Sequence, residues 1–436
     1  MKHIMHSLNV LAQISLGVWL MACAGQAQAQ EVKGFGEVRG TWYAGTEDVA
    51  ITLVERFRPT FEAALSERVS FSTTVEMALQ QGWNRQQAVE KVFTESDFGP
   101  LLDAAGCTWP EETNEFLGIS GPEDVFWVDR LFVDFYHPKF DLRVGRQALQ
   151  WGSAQFINPT DPFPELLLME PWRPRSGVNA ALLAVPFGKL HDVNVAVATT
   201  DTFDALRMAG RVRLNWLNTD FALIGAYRGD ADNGLVGLDI RGTLGVGFWL
   251  ESALHIEEEP WFEGVLGIDY SFPVAEGLMV SAQYYYNGSD VQSAGMGGLA
   301  TGIEPPDCAS ESADLFSDPG DMNAFGPVLS GAHYGLLSAG LNVVPELAIQ
   351  TAWLQNFEDG TAFGIATIST RPTGWLDVSV SLQLPVKVWG NGGEFSPSAA
   401  DLRIEEEVIP GTDPLVADFS GMVPAATVVL WTRANF

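Results

Sequence analysis

The sequence predicts an all-β chain, a transmembrane antiparallel β-barrel of about 18 strands, with roughly 16 to 20 as the span that splitting or merging a hairpin allows. Three observations lead there. Segments near ten residues long alternate apolar and polar side chains from Gly34 onward, connections are short and long in turn, and the first residues have the makeup of an export signal.

The alternation is clearest from Trp375 to Lys387, where Leu376, Val378, Val380, Leu382, Leu384 and Val386 share one face. Asp377, Ser379, Ser381 and Gln383 share the other. Val246 to Ile256 sets Phe248, Leu250, Leu254 and Ile256 opposite Glu251 and His255, and Val69 to Gln80 repeats the pattern. A period of two belongs to strands with one apolar and one polar face. A soluble sandwich also alternates, so the connections decide. Short ones fall near Ser66-Glu67, Pro138-Lys139, Gly188-Lys189, Leu217-Asn218, Leu244-Gly245, Pro273 to Gly277, Val344-Pro345 and Arg371 to Gly374. Each follows an even-numbered strand, and the long loops 81–126, 152–177, 288–330 and 390–421 each follow an odd-numbered one. Short turns on one rim and long loops on the other are the layout of bacterial outer-membrane barrels.

Composition agrees. Forty-four glycines and 11% aromatics suit a turn-rich β chain, and 47% hydrophobic residues exclude a disordered acidic one. No run of 18 apolar residues occurs after the first thirty positions, which leaves no transmembrane helix. Twenty-four Lys+Arg stand against 55 Asp+Glu, a net charge of −31, and such acidity opposes nucleic-acid binding. Residues 1–29 read as a signal peptide: Lys2, an apolar core from Leu8 to Ala24, and Ala27-Gln28-Ala29 as cleavage site. Loss of Lys2, with no acid in that segment, takes −31 to −32 for residues 30–436, the barrel itself. Lipidation at Cys23 is the competing reading. Cys107 and Cys308, both in long irregular segments, are a candidate disulfide, with two free surface thiols as the alternative.

One stretch departs from plain barrel sequence. Asp141 to Trp151 reads as a strand, Gly152 breaks it, and Asn158-Pro159-Thr160-Asp161-Pro162 forces a turn-rich loop before a new strand near Val178. The loop carries Asp161, Glu165, Glu170, Trp172, Arg173 and Arg175, the content of a loop folded into a pore as its constriction. An ordinary surface loop is the bland reading. The run Val144-Gly-Arg-Gln-x-x-x-Trp-Gly, then Asn158-Pro-x-Asp-Pro-Phe, resembles a motif of Gram-negative outer-membrane β-barrels grouped with porin-like and alginate-export-like families. That resemblance implies a barrel and the passage of a solute, with no particular substrate.

Arginines recur on the faces expected to point inward: Arg56 and Arg58 with Glu62; Arg130 with Asp134 and Tyr136; Arg143; and Arg207, Arg211 and Arg213 together. An arginine facing lipid at mid-bilayer costs about 2–4 kcal/mol, which favours this register. Such a lining attracts anionic solutes, unless the arginines pair with lumen carboxylates such as Glu62, Asp134 and Glu251. No catalytic constellation, metal site or cofactor motif stands out. His255 beside Glu251 reads as polar lining, and the acid clusters at Glu111-Glu112, Glu257-Glu258-Glu259, Asp314 to Asp321 and Glu405-Glu406-Glu407 read as solvated loop charge. The last strand ends in Phe436, with Val428 and Leu430 on the same face, and resembles the signal read by the barrel-assembly machinery.

The expectation is an exported, non-enzymatic outer-membrane barrel, surrounded by lipid and lipopolysaccharide, acting as a porin-like channel for small or extended polar solutes. The oligomeric state is left open. A non-conducting barrel that anchors or sheathes a secreted polysaccharide or electron-transfer partner is the second reading, and an outer-membrane hydrolase a weaker third.

Overall fold

The computed structural model describes residues 29–45, 50–82, 126–163, 174–199, 206–229, 233–257, 259–289, 331–390, 393–396, 403–406, 415–418 and 424–436, with single positions at 91, 94, 96, 100 and 329. Eighteen strands form the barrel: β1 (Ala29–Ala44), β2 (Ala50–Ser66), β3 (Val69–Gly82), β4 (Phe126–His137), β5 (Phe140–Gln147), β6 (Val178–Phe187), β7 (His191–Thr199), β8 (Leu206–Trp216), β9 (Thr219–Arg228), β10 (Asn233–Thr243), β11 (Gly247–Ile256), β12 (Trp261–Phe272), β13 (Gly277–Asn287), β14 (His333–Val344), β15 (Leu347–Asn356), β16 (Thr361–Thr373), β17 (Leu376–Lys387) and, after a separate two-stranded hairpin of β18 (Arg403–Glu406) and β19 (Leu415–Asp418), the closing strand β20 (Ala426–Asn435). Each pairs antiparallel with its sequence neighbour, β17 pairs with β20, and β20 pairs back onto β1, from Phe35↔Asn435 to Ala44↔Ala426. The barrel is closed and has the strand number that the sequence predicts. Closure leaves no unpaired strand edge.

The alternation sorts the side chains into an inverted protein. On β8, Met208, Val212, Leu214 and Trp216 stand exposed on the outer face, while Arg207, Arg211 and Arg213 point in. Around the wall Leu223, Leu266, Ile268 and Leu337 are more than half exposed, whereas Glu37, Arg39, Arg56 and Asp129 are buried. Glu55 breaks the pattern: it stands exposed on the outer face between Phe57 and Leu79, and nothing in the structure explains it.

Two departures from regular pairing matter for the interior. In β4 the partner of Thr74 is Arg130 and that of Val75 is Val128, so Asp129 is an extra residue. This bulge turns two successive charged side chains, Asp129 and Arg130, toward the lumen. The second corrects the strand expected from Asp141 to Trp151. β5 stops at Gln147, whose side-chain amide donates to the Ala180 carbonyl at 3.0 Å. Beyond it the chain leaves the ladder, because Leu149 and Trp151 turn inward and are buried inside the barrel.

Phe436 seals the seam. Its N–H donates to Gly34 O and its carbonyl accepts from Gly34 N, both at 3.0 Å, and its ring stacks on Phe57 with centroids 5.6 Å apart. Deleting Phe436 removes both bonds and the stack. The folded fraction, read as the heat-modifiable band on a gel, is expected to fall; an unchanged folded yield would show that closure is complete without it.

Candidate functional site

The interior is organised around residues 148–163, which follow β5 and run inside the barrel against the wall formed by β6 to β15. Small side chains make the room. Ala180, Ala196, Ala198, Ala209, Ala222 and Ala253 face inward on β6, β7, β8, β9 and β11, and Leu149, Trp151 and Phe163 fill the volume they leave. Trp151 and Phe163 meet edge to face at 6.3 Å. Farther along, Ala154, Phe156 and Ile157 pack against Trp249, Val265, Tyr285, Tyr334 and Leu336.

Polar contacts pin the segment to that wall. Glu251 on β11 accepts from the N–H groups of Ser153 and Ala154 at 2.5 Å each, from Thr160 N at 3.2 Å and from the Thr160 hydroxyl at 2.8 Å. The Ser153 hydroxyl donates to Asp239, and Arg241 donates to Ser153 O at 3.0 Å. Gln283 accepts from Gln155 N, and Ser281 donates to Gln155 Oε1 at 2.7 Å. Glu251 is thus a lumen residue, yet it is held by loop amides rather than by an arginine. Charge-assisted acceptance of several backbone donors is what a loop without secondary structure needs when it is taken out of water.

The motif residues build the loop internally. Asp161 N donates to Asn158 O at 3.0 Å, which closes the turn around Pro159, and the Asp161 carboxylate accepts from Trp151 N, Phe163 N and, at 2.6 Å, Arg175. Burial pushes the Asp161 carboxyl above its ordinary pKa, while Arg175 and the two amide donors pull it back. Gly152 has φ +89°, a conformation that favours glycine, at the point where the chain reverses toward Glu251. Of the charged and aromatic residues expected in this loop, Glu165, Glu170, Trp172 and Arg173 lie outside the described residues, as do Cys107, Cys308 and the signal segment 1–28.

On the side where the barrel closes, charged side chains form a paired network. Arg433 reaches Glu37 at 2.6 Å; Arg56 lies 4.0 Å from Glu37 and 2.9 Å from Glu76; Arg58 lies 3.1 Å from Glu76 and contacts Asp129; and Arg130 lies 3.3 Å from Asp129. Arg143 pairs with Asp134 at 2.6 Å and sits 4.2 Å above the Phe132 ring. Glu62 is not part of it: cross-strand register brings it to Lys33, at 2.8 Å. The loop joins this network at its end, where Gly177 N donates to Asp129 and Arg130 donates to Arg175 O.

Facing the loop, Arg211 lies 5.4 Å from the Trp151 ring centre and 3.7 Å from Asp192, which also holds Arg213. Arg207 shares their inward face, four residues before Arg211 with Ala209 between them. His255 shares the inward face of β11 with Glu251, as its parity predicts, but the two are not partners. His255 Nε2 lies 2.9 Å from Glu263 instead, its ring is stacked on Trp261 at 3.7 Å, and Tyr285 donates to the same carboxylate at 2.8 Å. His255 is fully buried, so this cluster packs the wall and presents no open face for acid–base chemistry. The sequence reading does not single out Glu37, Glu76, Asp129, Asp239, Gln283 or Arg433. For all but Asp129 the only local signal is a polar residue at an inward parity; Asp129 stands at an outward parity and is turned in by the bulge.

No protein-family model matches the chain, and no curated protein matches it. Solved structures do. OccK11 (OpdR) of Pseudomonas aeruginosa matches with a TM-score of 0.50 and 9% identity, over 93% of this chain and 95% of its own. OccK5 (OpdH) of the same organism matches with 0.50 and 10% identity, over 93% and 98%. Wzi of Escherichia coli, an outer-membrane protein involved in group 1 capsule assembly and a carbohydrate-binding β-barrel, matches with 0.50 and 8% identity, over 98% and 89%. At such identities the likeness is one of fold: this chain is built as those outer-membrane barrels are.

Proposed function

We propose that the chain is an outer-membrane porin-like channel for small or extended polar solutes, with the segment after β5 as its constriction. The observation that carries the reading is the inward segment itself, stapled through Glu251 to the inner wall. An outer face of exposed Leu, Ile and Val, with charge buried inside, suits an apolar surrounding and a polar interior. The likeness to OccK11 and OccK5 supports the same fold use. The short-turn rim, which also holds Phe436, faces the periplasm on this reading. Ion pairing of most inward arginines argues for a mixed-charge lining and against a simple anion funnel.

The reading predicts discrete single-channel steps when the purified barrel is added to a planar lipid bilayer. Folded protein that inserts without any conductance would favour the second reading, a non-conducting barrel that holds a secreted polysaccharide. The likeness to Wzi is the observation behind that alternative. Binding of polysaccharide to cells that display the protein would then be the result to seek.

A further inference from the structure

The carboxylates inside the barrel are not equivalent. Glu37, Glu76, Asp129, Asp134 and Asp192 each touch an arginine of the wall, and Asp161 touches Arg175. Asp239 and Glu251 do not: among the described residues neither joins an ion pair. Register sets these two directly opposite each other on β10 and β11, both inward and both buried. Side chains so opposed stand about 5 Å apart at Cβ, and like charges there repel. The charged groups around them are already engaged. Arg241 on β10 donates to Ser153 O, Arg211 and Arg213 on β8 hold Asp192, and Arg213 also lies 3.8 Å from Asp220 on β9. Glu263 on β12 is taken by His255 and Tyr285. Both members of the pair grip the same residue of the inward segment, since Ser153 gives its N–H to Glu251 and its hydroxyl to Asp239. Each oxygen of Glu251 accepts two donors, Ser153 and Ala154 on one, the amide and hydroxyl of Thr160 on the other. Its lone-pair sites are full, and none is left for a proton.

We propose that the Asp239–Glu251 pair is a proton-operated latch on the constriction, and that acid releases residues 153–160 from the wall and widens the path. This role rests on the channel reading given under Proposed function. A buried carboxylate that faces a like charge and has no counter-ion takes up a proton before carboxylates paired with arginine do. A proton on Glu251 removes one acceptor position and the charge that strengthens the remaining bonds. The segment has no helix or strand of its own to hold it there, so its grip on the wall depends on those bonds. The arginine-paired network keeps its charges meanwhile, and the wall stays whole while the segment moves. The sign follows: the closed position is held above the pH at which Glu251 gains its proton and is lost below it.

The test records single-channel current in a planar bilayer while both sides go from about pH 7.5 to about pH 4.5, down to the ordinary carboxylate range. Wild-type steps should grow by roughly half or more, and reversibly. Glu251→Gln, whose amide takes no proton, should start above wild type at neutral pH and give steps that ignore acid. A tether shows that the segment itself moves. A Cβ at Gly237 would stand 3.2 Å from that of Thr160, close to the span of a disulfide, so T160C/G237C can be closed by oxidation. The closed tether should abolish the acid response, and reduction should restore it. Wild-type steps indifferent to acid, a response that survives in Glu251→Gln, or one that survives the closed tether would each overturn the proposal. A spin label at position 155, where Gln155 is exposed on the segment, reports without current. Its mobility should rise in acid when Glu251 is present and stay constant in Glu251→Gln. A barrel that gives no current at any pH counts against the channel reading. A label equally fixed at both ends of the pH range counts against the latch alone.

Discussion

Replacing Glu251 with alanine is expected to raise single-channel conductance and to lower the stability of the barrel together. The carboxylate accepts four hydrogen bonds from Ser153, Ala154 and Thr160, and it is 1% exposed. Hydrogen bonds to charged groups contribute about 1.5–3 kcal/mol each, and a buried amide left without an acceptor costs about 1–3 kcal/mol. The loop therefore has more to gain by leaving the wall than by staying unsatisfied, and a stability loss of about 3 kcal/mol or more follows. Glu251→Gln keeps two acceptor or donor positions in the same shape and loses the charge, so it should fall between wild type and alanine in both measurements. Planar-bilayer recording and the temperature at which the heat-modifiable band disappears report the two effects. Conductance unchanged in a folded Glu251→Ala barrel would show that the segment does not set the width of the path.

The second large effect lies in the paired charges where the barrel closes. Arg56 has a fully buried side chain between Glu37 and Glu76. Arg56→Met leaves both carboxylates without that partner, and breaking one side of a buried ion pair costs about 3–5 kcal/mol. Glu76→Leu should be similarly harmful, since Arg56 and Arg58 both depend on it. The double variant should lose clearly less than the sum, because no uncompensated charge remains between the two positions. Denaturant unfolding of the four proteins in one lipid or detergent system gives the cycle. Strict additivity would mean that the pair is screened by water inside the barrel.

Much of this wall could be read from the sequence because parity is local. Met208, Val212 and Leu214 against Arg207, Arg211 and Arg213 assign both faces of β8 without any knowledge of its neighbours, and the structure has them so. Partners are another matter. Arg56, Arg58 and Glu62 share a face, yet register gives the arginines to Glu76 and Asp129 and gives Glu62 to Lys33. Register is set between strands, and no single strand carries it. The bulge at Asp129 hides for the same reason, since an extra residue shows only against its partner strand. The strand expected to Trp151 runs four residues past the end of β5, because Leu149, Gln150 and Trp151 alternate like a strand. Only the alanines on β6 to β11, which leave space for Leu149 and Trp151, decide that it goes inward. Parity marks Glu251 as a carboxylate for inward arginines, whereas its donors come from a loop 91 to 98 positions earlier.

That separation has a consequence for how the protein is made. The segment after β5 leaves the ribosome well before its acceptors, which follow it by 86 to 128 positions on β10, β11 and β13. Until those strands exist its amides can be satisfied only by water, and contacts of such span are slow to form. Once β20 zips onto β1 the wall is continuous, and a segment left outside could re-enter only over a rim. Docking of the loop therefore waits for β10, β11 and β13, and Glu251 is its mooring whether the loop enters before the seam at Phe436 shuts or over the rim afterwards.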